Sequence, residues 1–192
     1  MASTLRFTNA DLESFPDPLD DTRYELIDGE LQVAHQPHWE HQFTSGTLFA
    51  ALQAWSRQTR AGVANLAPEV IFSPEDGVAP DVLWISRGRR AQGLRPDGKL
   101  YIAPEIAIEI LSPGGANERR DRDLKRKLYA REGVEEYWIV DWRTKEIAIY
   151  HRDGSTLEPV LTLTNADLLT SPLLPGFSFP ISELWESPLD ER

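Results

Sequence analysis

Residues 105–113 read EIAIEILSP, in which Glu109 interrupts an otherwise apolar run. A run this short and this apolar is typical of a strand buried on both faces, as in the centre of a sheet that helices cover. A carboxylate in such a place costs free energy unless it is paired or coordinates a cation. Glu109 is therefore the first candidate for a functional residue.

A second acid opens another apolar strand, at residues 79–86, which read APDVLWIS. If the strands of Asp81 and Glu109 are neighbours, the two carboxylates repel each other unless a metal lies between them. Carboxylate oxygens suit magnesium or manganese, which keep several waters and bind phosphate oxygens directly. The two acids therefore predict a site for a hard divalent cation.

A helix is predicted from Asn117 to Glu132, where Gly133 ends it. Asp121, Lys125 and Tyr129 are spaced four apart, which places them on one helix face. A lysine beside a metal and two carboxylates can orient an attacking water and stabilise developing negative charge.

The rest of the pattern predicts an α/β fold with a mixed β-sheet flanked by helices. We expect one domain over residues 1–192, with its core at about 22–186. Short elements alternate with Pro, Gly and Ser throughout. The predicted elements are a helix at 8–15, a hairpin at 24–34 around Asp28-Gly29, a helix at 38–60, strands at 69–72, 81–85, 105–111, 136–141 and 146–151, a polar loop at 86–99, and final elements near 159–163 and 177–184.

Composition excludes several classes of protein. The chain has no cysteine, which excludes disulfides and Cys-based metal sites. Its apolar runs are far shorter than the ~20 residues of a transmembrane helix. The first residues, MASTLRFTNADLESF, lack the pattern of a signal peptide, so we expect a cytoplasmic protein without a membrane partner.

Charge is distributed unevenly. The net charge of −11 argues against a protein that coats nucleic acid. Between Arg87 and Arg131, however, twelve basic and six acidic residues give a local balance of +6. This segment indicates either a nucleic-acid-binding region or a solvated helix face next to a charged loop.

The Pro80-Asp81 and Glu109 pattern resembles the PD-(D/E)XK nuclease superfamily, whose fold is restriction-endonuclease-like. Six segments in order are similar to the family of putative restriction endonucleases common in cyanobacteria and in the Deinococcus–Thermus group. The resemblance runs from about residue 8 to 186. The segments are YELIDGEL (24–31), APDVLWIS (79–86), EIAIEILSP (105–113), the helix with Asp121, Lys125 and Tyr129, EGVEEYWIVD (132–141) and SPLLPGFSFPISEL (171–184).

This resemblance implies a metal-dependent endonuclease that hydrolyses DNA phosphodiester bonds. Asp81, Glu109 and the Ile110 carbonyl would bind Mg²⁺, with Mn²⁺ as a substitute. The chain departs from the superfamily at Leu111, where the catalytic lysine is expected. Lys125 on the following helix matches the family's replacement and is preferred over Lys127. Because duplex cleavage needs two active sites, the resemblance also implies a homodimer or a larger assembly.

The sequence leaves two interpretations open for several residues that could support the catalytic ones. Glu25 is either a hairpin acid paired with Arg23 or a member of the metal site, and His41 is either a water or phosphate ligand or an ordinary helix histidine. Asp121 and Tyr129 are expected to orient Lys125 or to stabilise its helix. The basic residues Arg119 and Arg120, with Arg122 and Arg126, either flank DNA or pair with acids of their own helix.

Three functions from different classes remain open at this point. A catalytically silent module that keeps the fold and binds nucleic acid or a partner is the main alternative to the nuclease. Hydrolysis of a small phosphate compound would require a closed pocket. His35 and His38 lack zinc-hydrolase spacing, and we expect Trp138 and Trp142 to fill the core or an oligomer contact.

Overall fold

A central β-sheet with helices against it organises the chain in the computed structural model, which describes residues 5–15, 22–34 and 37–185. The helices are α1 (Asn9–Leu12), α2 (Trp39–Thr59), α3 (Arg87–Gly93), α4 (Gly115–Arg119) and α5 (Arg126–Glu132), with a π-helical segment at Arg120–Lys125 and a 3-10 turn at Ile181–Leu184. The strands are β1 (Arg23–Ile27), β2 (Glu30–Ala34), β3 (Gly62–Leu66), β4 (Val70–Ser73), β5 (Asp76–Val78), β6 (Val82–Ser86), β7 (Ile106–Ile110), β8 (Glu136–Asp141), β9 (Glu146–Asp153), β10 (Thr156–Leu163), β11 (Leu168–Leu169) and β12 (Phe179–Pro180).

The larger sheet has six strands in the order β10-β9-β8-β7-β6-β3. Strands β7 and β8 are parallel, whereas the other neighbouring pairs are antiparallel. The helical segment from α4 to α5 makes the crossover between the two parallel strands. Strand β7 is buried at every residue. These features confirm the predicted mixed sheet and its central apolar strand.

Helix α2 lies across the larger sheet and confirms the helix predicted at 38–60. Its apolar residues Leu48 and Leu52 are fully buried in the main core, together with Trp138 of β8. Its first two turns bury the polar side chains of His41 and Ser45 instead. The N-terminal end of α2 therefore presents polar groups to the interior.

A second sheet of four strands, in the order β2-β1-β5-β4, was not predicted. The hairpin of β1 and β2 was predicted, and its turn residues Asp28 and Gly29 have φ angles of 52° and 73°. Such positive φ values at both positions are typical of a tight hairpin turn. The prediction missed β3 and β5 because both are short and lack an alternating apolar pattern. The second sheet brings β1 beside the larger sheet.

The prediction of a loop over residues 86–99 is wrong in its first half, where α3 forms. The Ser86 hydroxyl caps this helix by accepting a hydrogen bond from the Arg89 N–H at 3.3 Å. Gly93 lets the end of α3 pack against Ile102, since a Cβ there would lie 2.0 Å from the Ile102 side chain. The many glycines and arginines of this segment led to the prediction of a loop. The short helix is stabilised instead by its N-cap and by close packing.

The helix predicted from 117 to 132 is present, but its middle is π-helical between α4 and α5. Gly133 ends it in the left-handed conformation, at φ 99°. Hydrogen bonds in a π-helix run five residues back instead of four, which changes the angle between positions four apart. This irregular turn carries Lys125.

The remaining predictions agree with the structure in part. Helix α1 is shorter than predicted, and Thr8 and Asp11 form its capping box. Strand β10 and the segment of β12 with the 3-10 turn correspond to the last predicted elements. No helix in the described ranges is long and apolar enough to cross a membrane. His35 lies outside the described residues.

Candidate active site

Glu109 lies near the carboxyl end of the central strand β7 and is 2% exposed. Its Oε1 oxygen accepts hydrogen bonds from the Tyr129 hydroxyl at 2.7 Å and from the Lys125 ammonium at 3.0 Å. Both donors come from the crossover helix that follows β7. The buried carboxylate is therefore paired, as the cost of its burial requires.

Asp81 immediately precedes β6 and faces Glu109. Val82 pairs with Ile108 in antiparallel register, so continuing the register by one residue places Asp81 opposite Glu109. Residues opposite each other in antiparallel strands project from the same face. The Oδ2 oxygen of Asp81 accepts the Ile110 N–H at 2.8 Å. The sheet thus brings together the two acids that the sequence singled out.

Lys125 connects the larger sheet with the second one. Its ammonium lies 2.9 Å from Glu25 Oε1 on β1 and 3.0 Å from Glu109 Oε1 on β7. Glu25 also accepts the Ala79 N–H at 2.7 Å, and within the described chain it pairs with Lys125 instead of Arg23. Lys127 is exposed. Of the two lysines, Lys125 is the one that meets the carboxylates.

Asp121 is buried near the same cluster and pairs within its own helical segment. Its carboxylate accepts a hydrogen bond from the Arg120 guanidinium at 2.9 Å, and no hydrogen bond joins it to Lys125 in the described structure. Both positions lie in the π-helical segment, which changes the offset between residues four apart. Tyr129, by contrast, shares the Glu109 oxygen with Lys125.

The first turns of α2 add His41 and Ser45 to the site. His41 is buried, and its Nε2 atom lies 3.1 Å from Asp81 Oδ2. The other ring nitrogen of His41 and the hydroxyl of Ser45 are buried without a hydrogen-bond partner among the described residues. Buried polar atoms of this kind are uncommon and call for an explanation.

These side chains surround one cleft with a volume of about 270 Å³. Its floor is formed by carboxylates, and its walls carry hydroxyl, amide and guanidinium groups. The lining residues are Arg23, Glu25, Pro37, His41, Gln42, Ser45, Leu66, Ala67, Ala79, Asp81, Glu109, Ser112, Arg120 and Lys125.

Burial and neighbouring charges shift the pKa values of the ionisable side chains in the cleft. Burial raises the pKa of Glu109 to about 8, although the Lys125 charge opposes this. Burial would also raise the pKa of Asp81, but the His41 hydrogen bond and the nearby charges outweigh it and hold that pKa below its usual value. Burial alone would lower the pKa of Lys125, whereas Glu109 and Glu25 outweigh burial and raise it. Lys125 therefore stays charged at neutral pH.

Acids outnumber bases in this cluster. Four carboxylates, those of Glu25, Asp81, Glu109 and Asp121, surround the two cations Lys125 and Arg120. Burial is the largest cause of the raised Glu109 pKa, and the negative charges of Asp81, Asp121 and Glu25 add to it. With Glu109 ionised, the formal excess is two negative charges, which one divalent cation would neutralise.

The residues fit a cation that keeps most of its own water. The described ranges contain no group of three or more His, Asp or Glu side chains that could hold a metal ion. Mg²⁺ is usually bound through one or two carboxylates and several waters instead of a full protein cage. Asp81 and Glu109 supply such a pair. The Ile110 N–H donates to Asp81, so the backbone of Ile110 adjoins this pair of acids.

The basic segment is mostly engaged within the protein. Arg122 lies 3.7 Å from Asp141 of β8, and Arg126 donates to the Leu157 carbonyl at 2.9 Å. Arg120 lines the cleft while bound to Asp121, and Arg119 is exposed. Intrahelical pairing therefore accounts for Arg120, and pairing with neighbouring strands accounts for Arg122 and Arg126.

Sequence reasoning missed Ser45, Gln42 and Arg23 as cleft residues. Ser45 and His41 are four positions apart on α2, so their shared face was readable from the helix prediction. Ser45 gave no further signal, because serine is common on helix surfaces. Arg23 and Gln42 are ordinary exposed residues except for their position on the cleft.

The fold and the paired acids define a restriction-endonuclease-like α/β protein. A crystal structure described as a putative nuclease belonging to DUF820 from Anabaena variabilis ATCC 29413 is similar to this chain, with a TM-score of 0.73 and 17% identity over 93% of this chain and 97% of the other. No match was found among curated proteins. The chain belongs to the Uma2 family of putative restriction endonucleases, whose model matches residues 10–182.

Proposed function

We propose that this protein is a metal-dependent endonuclease that hydrolyses DNA phosphodiester bonds. The observation that carries the proposal is the excess of buried carboxylates around Lys125 at the floor of an accessible cleft. Four carboxyl groups around two cations are costly to bury, and a divalent cation bound among them would offset that cost. Family membership supports the same reaction class.

In this proposal, Asp81 and Glu109 hold Mg²⁺ or Mn²⁺, and the Ile110 carbonyl completes the protein ligands. A divalent cation bound there supplies a Lewis acid for the phosphoryl oxygens and lowers the pKa of a bound water. Asp81 is kept ionised by His41, so it is ready to bind a cation at neutral pH. Glu109 must first lose its proton.

Lys125 orients the attacking water and stabilises the negative charge that develops on the phosphate. Its raised pKa keeps it protonated, which suits a hydrogen-bond donor and an electrostatic stabiliser better than a general base. Glu25 and Tyr129 are positioning residues: Glu25 holds the ammonium, and Tyr129 holds the carboxylate that the ammonium contacts.

Cleavage of supercoiled plasmid with Mg²⁺ or Mn²⁺ tests the proposal. Asp81→Asn and Glu109→Gln remove charge while keeping shape, and we expect either change to abolish nicking. Glu105→Gln is the matched control, because Glu105 lies just before the same strand β7 but does not line the cleft. Its carboxylate pairs with the Arg89 guanidinium at a distance of 3.4 Å. Full nicking by both site variants would overturn the assignment.

The silent module is the second candidate, and one contact favours it. Lys125 already pairs with two of the carboxylates, so the cluster is partly neutralised without a cation. Metal binding by the wild type without any nicking would support this candidate. The homodimer stays a prediction, which sedimentation velocity tests directly.

A further inference from the structure

We propose that the DNA strand entering this cleft is unpaired, so that the substrate is single-stranded DNA or an unpaired stretch within a duplex. The proposal rests on the proposed nuclease function and specifies its substrate class. Ser45 and Gln42 hold the phosphate backbone, and a base next to the scissile bond stacks on Trp39. Three features of the structure lead to this inference.

The first feature is the depth and size of the cleft. Its volume of about 270 Å³ lies just below the usual range of about 300–1,000 Å³ for pockets that enclose a small ligand. The Asp81 side chain is 16% exposed and that of Glu109 only 2%. A space of this volume holds about one sugar–phosphate unit.

The second feature is the pair of unpartnered polar atoms on α2. The Ser45 hydroxyl and the second ring nitrogen of His41 are buried, and both residues line the cleft. Neither atom has a hydrogen-bond partner in the described part of the chain. A phosphate oxygen would accept a hydrogen bond from the Ser45 hydroxyl and so give this hydroxyl a partner. The side-chain amide of Gln42 provides a second donor on the same wall of the cleft.

The third feature is an aromatic rim beside that wall. Trp39 is 78% exposed, and it precedes Gln42 by three positions, so the two side chains are neighbours on the helix surface. His38 stacks on Trp142 with ring centroids 5.1 Å apart and planes at 8°. The Trp142 indole donates to the Leu111 carbonyl at 3.1 Å, which fixes this stack next to the end of β7. Nucleobases stack on such surfaces when they are unpaired.

Few free cations lie near the site among the described residues. Lys and Arg neutralise the phosphates of either form of DNA, and a duplex presents two charged strands where a single strand presents one. Here Arg126 and Arg143 are engaged by a carbonyl and by acids of the protein, and the whole chain carries −11. The exposed cations near the site, Arg23 and Arg119, are enough for a few phosphates of one strand.

Fluorescence anisotropy tests the proposal independently of catalysis. A labelled 20-nucleotide strand and the duplex of the same sequence are titrated with the protein in Ca²⁺. We expect the single strand to bind at least tenfold tighter. Equal affinity, tighter duplex binding or no binding of either overturns the proposal.

Variants on α2 separate a ligand role from a structural one. Trp39→Ala should weaken single-strand binding about tenfold, and Trp39→Phe should largely restore it. Ser45→Ala removes no protein hydrogen bond, so a structural role predicts unchanged binding, whereas we expect a loss of about fivefold or more. Unchanged binding in both alanine variants, or a change in oligomeric state alone, contradicts the proposal.

A DNA hairpin with a long unpaired loop distinguishes the failure of this proposal from that of the nuclease. We expect Mn²⁺-dependent cuts in the loop and none in the stem. Cuts spread equally over loop and stem would overturn the substrate class and leave the nuclease intact. Absence of cuts would count against the nuclease, and the anisotropy result would still decide which strand is bound.

Discussion

The ammonium of Lys125 lies 3.0 Å from the Oε1 oxygen of Glu109, although the two residues come from a π-helical turn and from the central strand. Both side chains are 2% exposed. This contact places a fixed positive charge beside a carboxylate that is expected to bind a cation. It also brings a lysine from a helix to the carboxylates, whereas Leu111 stands two residues after Glu109 in the chain.

The two nearby lysines make a matched pair for mutation. Lys125→Met should lower the cleavage rate by about 10²–10³, the usual loss for one electrostatic donor in a transition state. Lys127 is exposed, so Lys127→Met should leave the rate within about twofold of wild type. Rates on plasmid measured at saturating Mn²⁺ test this prediction. Equal rates in the two variants would remove Lys125 from the mechanism.

Removing Lys125 should also affect stability. Breaking a buried ion pair from one side costs about 3–5 kcal/mol, because the remaining charge loses its partner. We therefore expect Lys125→Met to be less stable than Lys127→Met in urea unfolding with EDTA present. Circular dichroism of both variants must first show a folded protein. Equal free energies of unfolding would mean that the Lys125 charge does not stabilise the buried carboxylates of Glu25 and Glu109.

Tyr129→Phe tests the second hydrogen bond to Glu109. The change removes a buried donor and should reduce the free energy of unfolding by about 1–3 kcal/mol. Tyr150→Phe is the control, because the Tyr150 hydroxyl has no hydrogen bond in the described structure and its ring still faces Arg126. We expect the control to change stability by less than about 0.5 kcal/mol. Similar losses in both variants would contradict the role of Tyr129.

Metal binding should depend on pH through Glu109. A proton and a cation compete for this carboxylate, and its pKa is raised to about 8. Affinity should therefore rise from pH 6 to about pH 8 and then level off, with a proton released on binding below pH 8. Asp81, whose pKa is lowered, adds no pH dependence in this range. Calorimetry in buffers with different ionisation enthalpies counts the protons, and a flat profile would be the contrary result.

Substitutions at two glycines of α3 test how this helix, which lies where a loop was predicted, packs against the rest of the protein. Gly93→Ala would place a Cβ 2.0 Å from the Ile102 side chain and should cost about 1–3 kcal/mol. A Cβ at Gly88 meets nothing within 4 Å, so Gly88→Ala should stabilise the helix by up to about 1 kcal/mol. Thermal unfolding of both variants measures the difference. A stabilising Gly93→Ala would show that α3 is not packed as described.

Some features could be predicted because a residue type is unusual in its sequence surroundings or specific for a turn. Glu109 stands out because a carboxylate in an apolar strand needs a partner, and the hairpin around Asp28 stands out because its turn residues are specific. Contacts that depend on tertiary packing were not visible. Ser45 became notable only when its hydroxyl was found buried, and the Asp121 partner depended on a π-helical turn with no sequence signature.

Strand β5 shows the same limit in the fold. Its three residues, Asp76–Val78, gain their structure from pairing with β1 and β4 instead of from an apolar pattern of their own. Without this strand the second sheet could not be foreseen, nor could the route by which Glu25 reaches Lys125. Helix α2, which has a helical spacing of apolar residues, and the apolar runs of β7 and β8 were predicted correctly.

Calorimetric titration of Mn²⁺ at pH 8 into the wild type, Glu109→Gln and Glu105→Gln shows whether a cation binds at Glu109. We expect binding to the wild type and to Glu105→Gln, with loss of binding in Glu109→Gln while its fold is kept. Equal binding by all three proteins would place the cation elsewhere. No binding by the folded wild type would mean that the carboxylates around Lys125 are structural.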